Sequence, residues 1–186
     1  METNERQPSD ALISAVESVL LVAAEPVSLA TLARVTGSRQ EQVRECLRML
    51  AADLCRGIRL QTDGTRVQLV TAPENAEVVR RFSGVERVPG LSRAALEALV
   101  VVAYRQPVTR ADVEDARGVN SDRAMQTLLG RGLIEETGRR NVPGRPAEYG
   151  TTFEFLEYFG LTSLDELPPQ KEMQEETPET FGLRSE

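Results

Sequence analysis

The stretch of this sequence with the most unusual chemistry runs from Gly138 to Pro146 and carries three arginines, two glycines and two prolines. Arginine binds carboxylates and stacks on flat groups, while glycine and proline restrain the backbone that presents it. Tyr149, Thr151 and Thr152 follow closely. One interpretation is a restrained loop that binds a partner through its arginines, and the other is a flexible loop whose arginines are solvated. Because a simple turn needs far fewer residues, we favour partner binding.

Acidic side chains at Asp112, Glu114 and Asp115 are the other group that could do chemistry. They stand at or near the start of an expected helix, where the helix dipole favours negative charge. The chain contains no histidine, and its two cysteines, Cys46 and Cys55, lack metal-ligand spacing. The sequence has no nucleophile elbow, phosphate-binding loop or dinucleotide fingerprint. We therefore expect a non-enzymatic protein with no metal and no cofactor.

The first half of the chain predicts three helices followed by a β-hairpin. Ser9 or Asp10 caps the first helix, Ser28 caps the second, and the third spans about 39–56. The next residues alternate between apolar and polar around a tight Asp63-Gly64 turn. This order of elements is that of a winged helix-turn-helix domain.

The second half repeats the first at one constant offset. Pro26-Val27-Ser28 recurs as Pro107-Val108-Thr109, and the same number of residues separates Gly37 from Gly118. A period this long indicates two copies of one small domain. We therefore predict a mainly α fold with small β-hairpin wings, an α+β arrangement of two tandem winged-helix domains.

The predicted segments differ in their apolar content. They are a flexible N-terminus (1–9), an N-terminal winged-helix domain (10–83), a linker (84–91), a C-terminal winged-helix domain (92–167) and a disordered acidic tail (168–186). The tail has too little apolar surface to offset the entropy of ordering. Within the C-terminal domain, Phe153 begins a short helix that we expect to pack its aromatic face on that same domain.

Charge and composition limit the classes of protein. The net charge is −7, and residues 168–186 alone carry two basic and five acidic side chains. A dedicated nucleic-acid binder usually has a net basic domain. No apolar run approaches the roughly 18 residues that span a bilayer, and no signal-peptide pattern is present, so we expect a cytosolic protein. Small aliphatic domains gain stability by association, which favours a dimer.

Ordered motifs in the second half resemble those of the segregation and condensation protein B (ScpB) family. They are Leu91-Ser92-Arg93-Ala94-Ala95-Leu96-Glu97, Ala103-Tyr104-Arg105-Gln106-Pro107-Val108-Thr109-Arg110, Arg117-Gly118-Val119-Asn120, Gly130-Arg131-Gly132-Leu133-Ile134 and Gly144-Arg145-Pro146-Ala147-Glu148-Tyr149-Gly150-Thr151-Thr152. The resemblance spans about residues 10–167. Glu148 departs from the pattern, since an apolar residue is expected there.

The resemblance implies a non-enzymatic subunit of the bacterial SMC condensin complex, which supports chromosome condensation and segregation. It implies a homodimer joined mainly through the N-terminal domains, which binds the central region of the kleisin subunit ScpA. The SMC ATPase is reached through ScpA and hydrolyses the ATP, so no cofactor is expected here. Contact with DNA is expected to be indirect or weak, membrane contact is not expected, and the expected location is the cytoplasm, at the nucleoid.

The family has no contact motif that could be carried over residue by residue, so the candidate kleisin-binding set is a hypothesis. It consists of Arg139, Arg145, Pro146, Tyr149, Thr151 and Thr152, with Tyr104 as a support. The alternative function is that of a dimeric winged-helix transcriptional regulator. That alternative predicts duplex DNA binding that falls steeply with salt.

Overall fold

The same plan of three helices and a hairpin occurs twice along the chain. The computed structural model describes residues 8–54, 56–84 and 90–169. An N-terminal unit contains the described residues up to Gly90 together with Phe153–Ser163, and a C-terminal unit contains Leu91–Thr152 and the described residues from Leu164 onward. Each unit is mainly helical and holds a three-stranded antiparallel sheet. The predicted mainly α fold with small β wings is confirmed.

The helices of the N-terminal unit begin where the capping residues predict. They are α1 (Asp10–Val22), α2 (Leu29–Thr36) and α3 (Gln40–Asp53). The hydroxyl oxygens of Ser9 and Ser28 accept hydrogen bonds from the first-turn N–H groups of α1 and α2. Gly37 ends α2 with φ 64°, a left-handed conformation that glycine adopts without strain. Helix α3 ends three residues before the predicted Arg56.

The N-terminal sheet contains one strand that the sequence analysis did not predict. The strands are β1 (Val27–Ser28), β2 (Ile58–Thr62) and β3 (Arg66–Thr71), in the order β1-β3-β2. The hairpin of β2 and β3 was predicted, whereas the two-residue β1 was seen only as a helix start. After β3, a 3₁₀ turn at Pro73–Asn75 leads into α4 (Ala76–Ser83).

The helix predicted near Phe153 forms, but the prediction that it packs on the C-terminal domain is wrong. Helix α8 (Phe153–Phe159) and the residues after it belong to the N-terminal unit. The guanidinium carbon of Arg66 lies 5.3 Å from the centre of the Phe153 ring, so the helix begins over strand β3. The proposed domain bounds 10–83 and 92–167 remain a prediction.

Polar groups of the N-terminal hairpin fix the residues that follow α8. The side chain of Gln61, which is only 1% exposed, donates a hydrogen bond to the Leu161 carbonyl at 2.8 Å. The Thr62 N–H donates to the Thr162 carbonyl at 2.9 Å. Gln68 in turn donates to the Gln61 amide oxygen at 2.8 Å. An apolar periodicity alone does not encode these specific partners, which is why the unit on which α8 packs was predicted wrongly.

The C-terminal unit repeats the first with matching caps. Its helices are α5 (Arg93–Arg105), α6 (Arg110–Arg117) and α7 (Asp122–Gly130), and its strands are β4 (Val108–Thr109), β5 (Ile134–Arg139) and β6 (Ala147–Thr151), in the order β4-β6-β5. Ser92 caps α5, and Thr109 and Asp112 form a capping box at the start of α6. Gly118 ends α6 with φ 68°, as Gly37 ends α2.

Several expectations fall on residues outside the described ranges. These are most of the flexible N-terminus at 1–9, most of the linker at 84–91, nearly all of the tail at 168–186, and Cys55. Among the described residues, no helix is both long enough and apolar enough to cross a membrane.

Candidate partner-binding site

The strand register decides which side chains of the C-terminal wing share a face. On β6, Tyr149 pairs with Val108 of β4 on one side and with Glu136 of β5 on the other. The register then shifts by one residue on β5, so that Arg139 pairs with Ala147. Directly paired residues share a face, and so do alternate residues of one strand. This β-bulge therefore keeps Arg139 on the same face as Tyr149.

The wing loop between β5 and β6 holds a defined shape through its own backbone. The Arg140 N–H donates to the Pro146 carbonyl at 3.0 Å, and the Arg145 N–H donates to the Val142 carbonyl at 2.9 Å. Arg145 has φ 39°, in the left-handed region that residues other than glycine seldom adopt. The loop thus presents the Arg145 side chain from a hydrogen-bonded turn.

Arg140 connects this loop to the start of α6. Its Nε donates to Glu148 Oε1 at 2.8 Å, and its two Nη atoms donate to the Asp112 carboxylate at 3.1 and 2.7 Å. The hydrogen bonds from Arg140 are the main cause that holds the pKa of Asp112 below its usual range, against the partial burial that raises it. Asp112 and Glu148 together raise the pKa of Arg140. Arg140 therefore anchors the wing.

Replacement of Arg140 by alanine is expected to cause a small loss of stability at pH 7, because both partners are about a third exposed. The pKa of Asp112 is depressed in the folded protein, so its contribution is full above the ordinary aspartate pKa of about 3.9. That contribution is lost as the pH falls through the depressed value. Urea unfolding at pH 7 and pH 3 measures the difference between wild type and variant, which shrinks at pH 3. An equal difference at both pH values would rule out the ion pair as its source.

The structure places three predicted residues at the tip of the wing. Arg139 is exposed and its Nε donates to Glu136 Oε1 at 3.1 Å. Arg145 is exposed on the loop. Pro146 is half-buried, and its role is to accept the backbone hydrogen bond from Arg140. The tip therefore displays two guanidinium groups on a restrained backbone.

The two predicted threonines hold the strand end instead of facing outward. The Thr151 N–H donates to Gln106 Oε1 at 2.8 Å, and Gln106 Nε2 donates to the Thr151 hydroxyl oxygen at 3.1 Å. The buried Thr152 hydroxyl donates to the Gly132 carbonyl at 2.6 Å. Both threonines therefore position β6. Tyr149, half-buried between them and the tip, has its ring on the face of Arg139.

The hydroxyl group of Tyr104 is bonded outside the wing. Its hydroxyl donates to the Pro168 carbonyl at 2.5 Å, and burial raises the pKa of the phenol. This contact ties the end of α5 to the chain after the 3₁₀ turn at Leu164–Glu166. Tyr104 is thus a structural support within the C-terminal unit.

Arg139 and Arg145 can bind carboxylates, and the ring of Tyr149 can contact a flat or apolar group. The side chain of Val142 at the tip is exposed. Across the described ranges, no group of three or more His, Cys, Asp or Glu side chains could hold a metal ion. The roles of Arg140 and Gln106 were not predicted. Asp112 stood out as an acidic residue near a helix start, but nothing in the sequence pointed to its bond with Arg140.

The helices that a winged-helix protein uses for DNA carry carboxylates that take part in ion pairs. On α3, Arg48 Nε donates to Glu45 Oε2 at 2.9 Å. At the start of α7, Asp122 binds Arg110 of α6 with an N–O distance of 2.5 Å. Such mixed pairs are typical of a solvated helix surface and leave less net positive charge for phosphates.

Comparison with protein families finds one family model that covers most of the chain. The model described as segregation and condensation complex subunit ScpB matches residues 14–170. The segregation and condensation protein B of Clostridium acetobutylicum is 41% identical over 182 residues, which is 96% of this chain and 90% of that protein. The protein of the same name from Clostridium tetani is 44% identical over 169 residues, 89% of each chain.

A solved structure is also similar. The crystal structure of ScpB from Mycobacterium tuberculosis has 40% sequence identity, covers 82% of this chain and 97% of its own, and superimposes with a TM-score of 0.40.

Proposed function

We propose a function on one premise: this chain belongs to the ScpB family of segregation and condensation complex subunits. On that premise it is a non-enzymatic, homodimeric subunit of the SMC condensin complex and supports chromosome condensation and segregation. It binds the central region of the kleisin ScpA and reaches the SMC ATPase through ScpA, in the cytoplasm at the nucleoid. The observation that carries the proposal is the family match over residues 14–170.

The C-terminal wing is the proposed kleisin site. Its tip offers Arg139 and Arg145 to carboxylates, and Tyr149 lies on the same face as Arg139. Aromatic and arginine side chains are the types that most often dominate binding energy at protein interfaces. The ion pairs of Arg140 fix the loop before a partner arrives, which lowers the entropy cost of binding.

Exposed apolar side chains support the proposed dimer through the N-terminal unit. Phe82 on α4 is 93% exposed, and Val78, one helical turn earlier, is 67% exposed. Leu21 and Val22 at the end of α1 are 70% and 81% exposed. Large apolar side chains that lie open in this way are typical of an interaction surface.

Substitution of Phe82 by glutamate is expected to raise the dimer dissociation constant by at least about tenfold, because burial of a phenylalanine contributes about 1.5–3 kcal/mol. Light scattering coupled to size exclusion, over a dilution series, measures the change. The matched control is Val119→Glu, at an exposed apolar residue of the C-terminal unit. A Phe82→Glu protein that stays as dimeric as the control would contradict the role of α4.

One titration separates kleisin binding from the regulator alternative. A fluorescent peptide with the kleisin's central sequence and a fluorescent DNA duplex are each titrated with the full chain at low and physiological salt. The proposal expects saturable binding of the peptide at both salt concentrations and weak duplex binding that salt abolishes. Tight duplex binding with no peptide binding would replace this proposal with the DNA-binding function.

A further inference from the structure

The sheets of the two units have the same register. In each, a row of paired residues runs from the two-residue strand through the central strand to the edge strand. The N-terminal row is Val27, Val67 and Thr62, and the C-terminal row is Val108, Tyr149 and Glu136. Glu136 of β5 is therefore the counterpart of Thr62 of β2.

In the N-terminal unit, peptide from later in the chain covers this edge position. The Thr62 N–H, which lies at the outer edge of β2, donates to the Thr162 carbonyl at 2.9 Å. The neighbouring Gln61 side chain donates to the Leu161 carbonyl at 2.8 Å. One carbonyl is thus bound by the backbone of the edge strand and the preceding one by a neighbouring side chain. In the first copy of the domain, this edge position therefore accepts the main chain of another segment.

In the C-terminal unit, the backbone N–H and carbonyl of Glu136 point away from the sheet. On β6, the Thr151 N–H donates to Gln106, which precedes β4, so Thr151 faces the β4 side. Backbone groups alternate in direction along a strand, so Tyr149 also faces β4 and the groups of its partner Glu136 point away from β6. The backbone hydrogen bonds that residues 90–169 make outside the strand ladders include none from the Glu136 N–H, and the register directs this group away from the β5–β6 ladder. An open strand edge of this kind is a template for another strand.

We propose that the outer edge of β5 takes an extended segment of a partner as an added strand, with a partner carbonyl accepting from the Glu136 N–H. The inference rests on the proposed function, in which the kleisin supplies that segment. Arg139 and Arg145 are exposed at the wing end of this edge, where Arg139 makes one surface ion pair with Glu136, while Arg140 is bound to two carboxylates. Charge complementarity therefore places acidic side chains on the part of the segment that passes the wing tip.

The direct test is amide hydrogen exchange of the full chain, free and saturated with the kleisin's central segment. Exchange at the Glu136 N–H is expected to slow by at least about tenfold on binding, since the group becomes hydrogen-bonded. The Thr62 N–H, already bonded in the free protein, serves as the internal reference. Binding by calorimetry with no protection at Glu136 overturns the added strand but leaves the proposed function in place. No binding at all overturns both.

A pair of variants gives a second test that separates backbone from side chain. Glu136→Pro removes the outward N–H, and proline is tolerated on edge strands where that group faces away from the sheet. Glu136→Gln keeps the N–H and removes the charge. The proline variant is expected to bind about tenfold more weakly, equivalent to about 1.4 kcal/mol, and the glutamine variant to stay within about threefold. Equal losses in both variants overturn the inference. If the proline variant does not fold, the exchange measurement decides.

Discussion

Alanine at both Arg145 and Tyr149 is expected to weaken binding of the kleisin's central segment by about a hundredfold, since each residue is of a type that contributes a kilocalorie or more at an interface. Tyr149 lies on the proposed binding face and Arg145 at the loop tip. Neither side chain is needed for the loop's shape, because backbone bonds and Arg140 hold it. The variant should therefore fold and keep its dimer. Isothermal titration calorimetry measures the affinity.

The matched control for this variant is Arg123→Ala, which removes an exposed arginine from α7, outside the wing. Its affinity for the kleisin segment is expected to stay within about twofold of wild type, as for a residue outside the contact. Circular dichroism and light scattering check the fold and the oligomeric state of both proteins. An unchanged affinity in the Arg145 and Tyr149 variant would show that the site assignment is wrong.

Alanine at Gly150 is expected to lower the free energy of unfolding by about 2 kcal/mol, as overpacking of a filled site does. A Cβ atom there would lie 2.8 Å from Gln106 Oε1 and 2.9 Å from Thr137 Cγ2. Gln106 cannot move aside cheaply, because its amide group is bonded to Thr151. Thr137 is β-branched and therefore stiff at χ1. Urea unfolding followed by circular dichroism measures the loss.

Gly138→Ala is the natural control, since Gly138 lies on the same hairpin and a Cβ atom there meets no atom within 4 Å. Its free energy of unfolding is expected to change by no more than about 0.5 kcal/mol, the usual range for a surface substitution. Equal losses for the two alanine variants would mean that the crowding around Gly150 is not what destabilises the protein.

The helices could be predicted from sequence because their signals are local. Ser9, Ser28, Ser92 and Thr109 each cap a helix, and the caps at Ser9 and Ser28 were predicted from their positions before the apolar periodicity. A capping bond joins atoms three residues apart, so neighbouring residues contain the whole signal. The repeat at one constant offset also predicted that the chain contains two similar domains.

The missed elements depend on pairings between residues far apart in sequence. Strands β1 and β4 have two residues each and exist because β3 and β6 lie beside them. The packing of α8 depends on the partners that Gln61 and Thr62 offer. No periodicity of a short segment records which distant strand will receive it, so such contacts become visible only in the folded chain.

The candidate site was predicted in part for the same reason. The arginine-rich loop stood out by composition, and in the structure Arg139 and Arg145 are exposed while Tyr149 is half-buried. Thr151 and Thr152 were grouped with them by sequence proximity, yet their hydroxyls are engaged with Gln106 and the Gly132 carbonyl. Of three similar arginines, the one that anchors the wing could not be chosen without the position of Asp112.

The most direct test of the proposed role is light scattering coupled to size exclusion, on the full chain alone and with an excess of the kleisin's central segment. One peak of twice the chain's mass is expected, and its mass increases by that of the bound segment when the segment is present. A monomeric peak, or a dimer whose mass does not change with the segment, would contradict the proposed role.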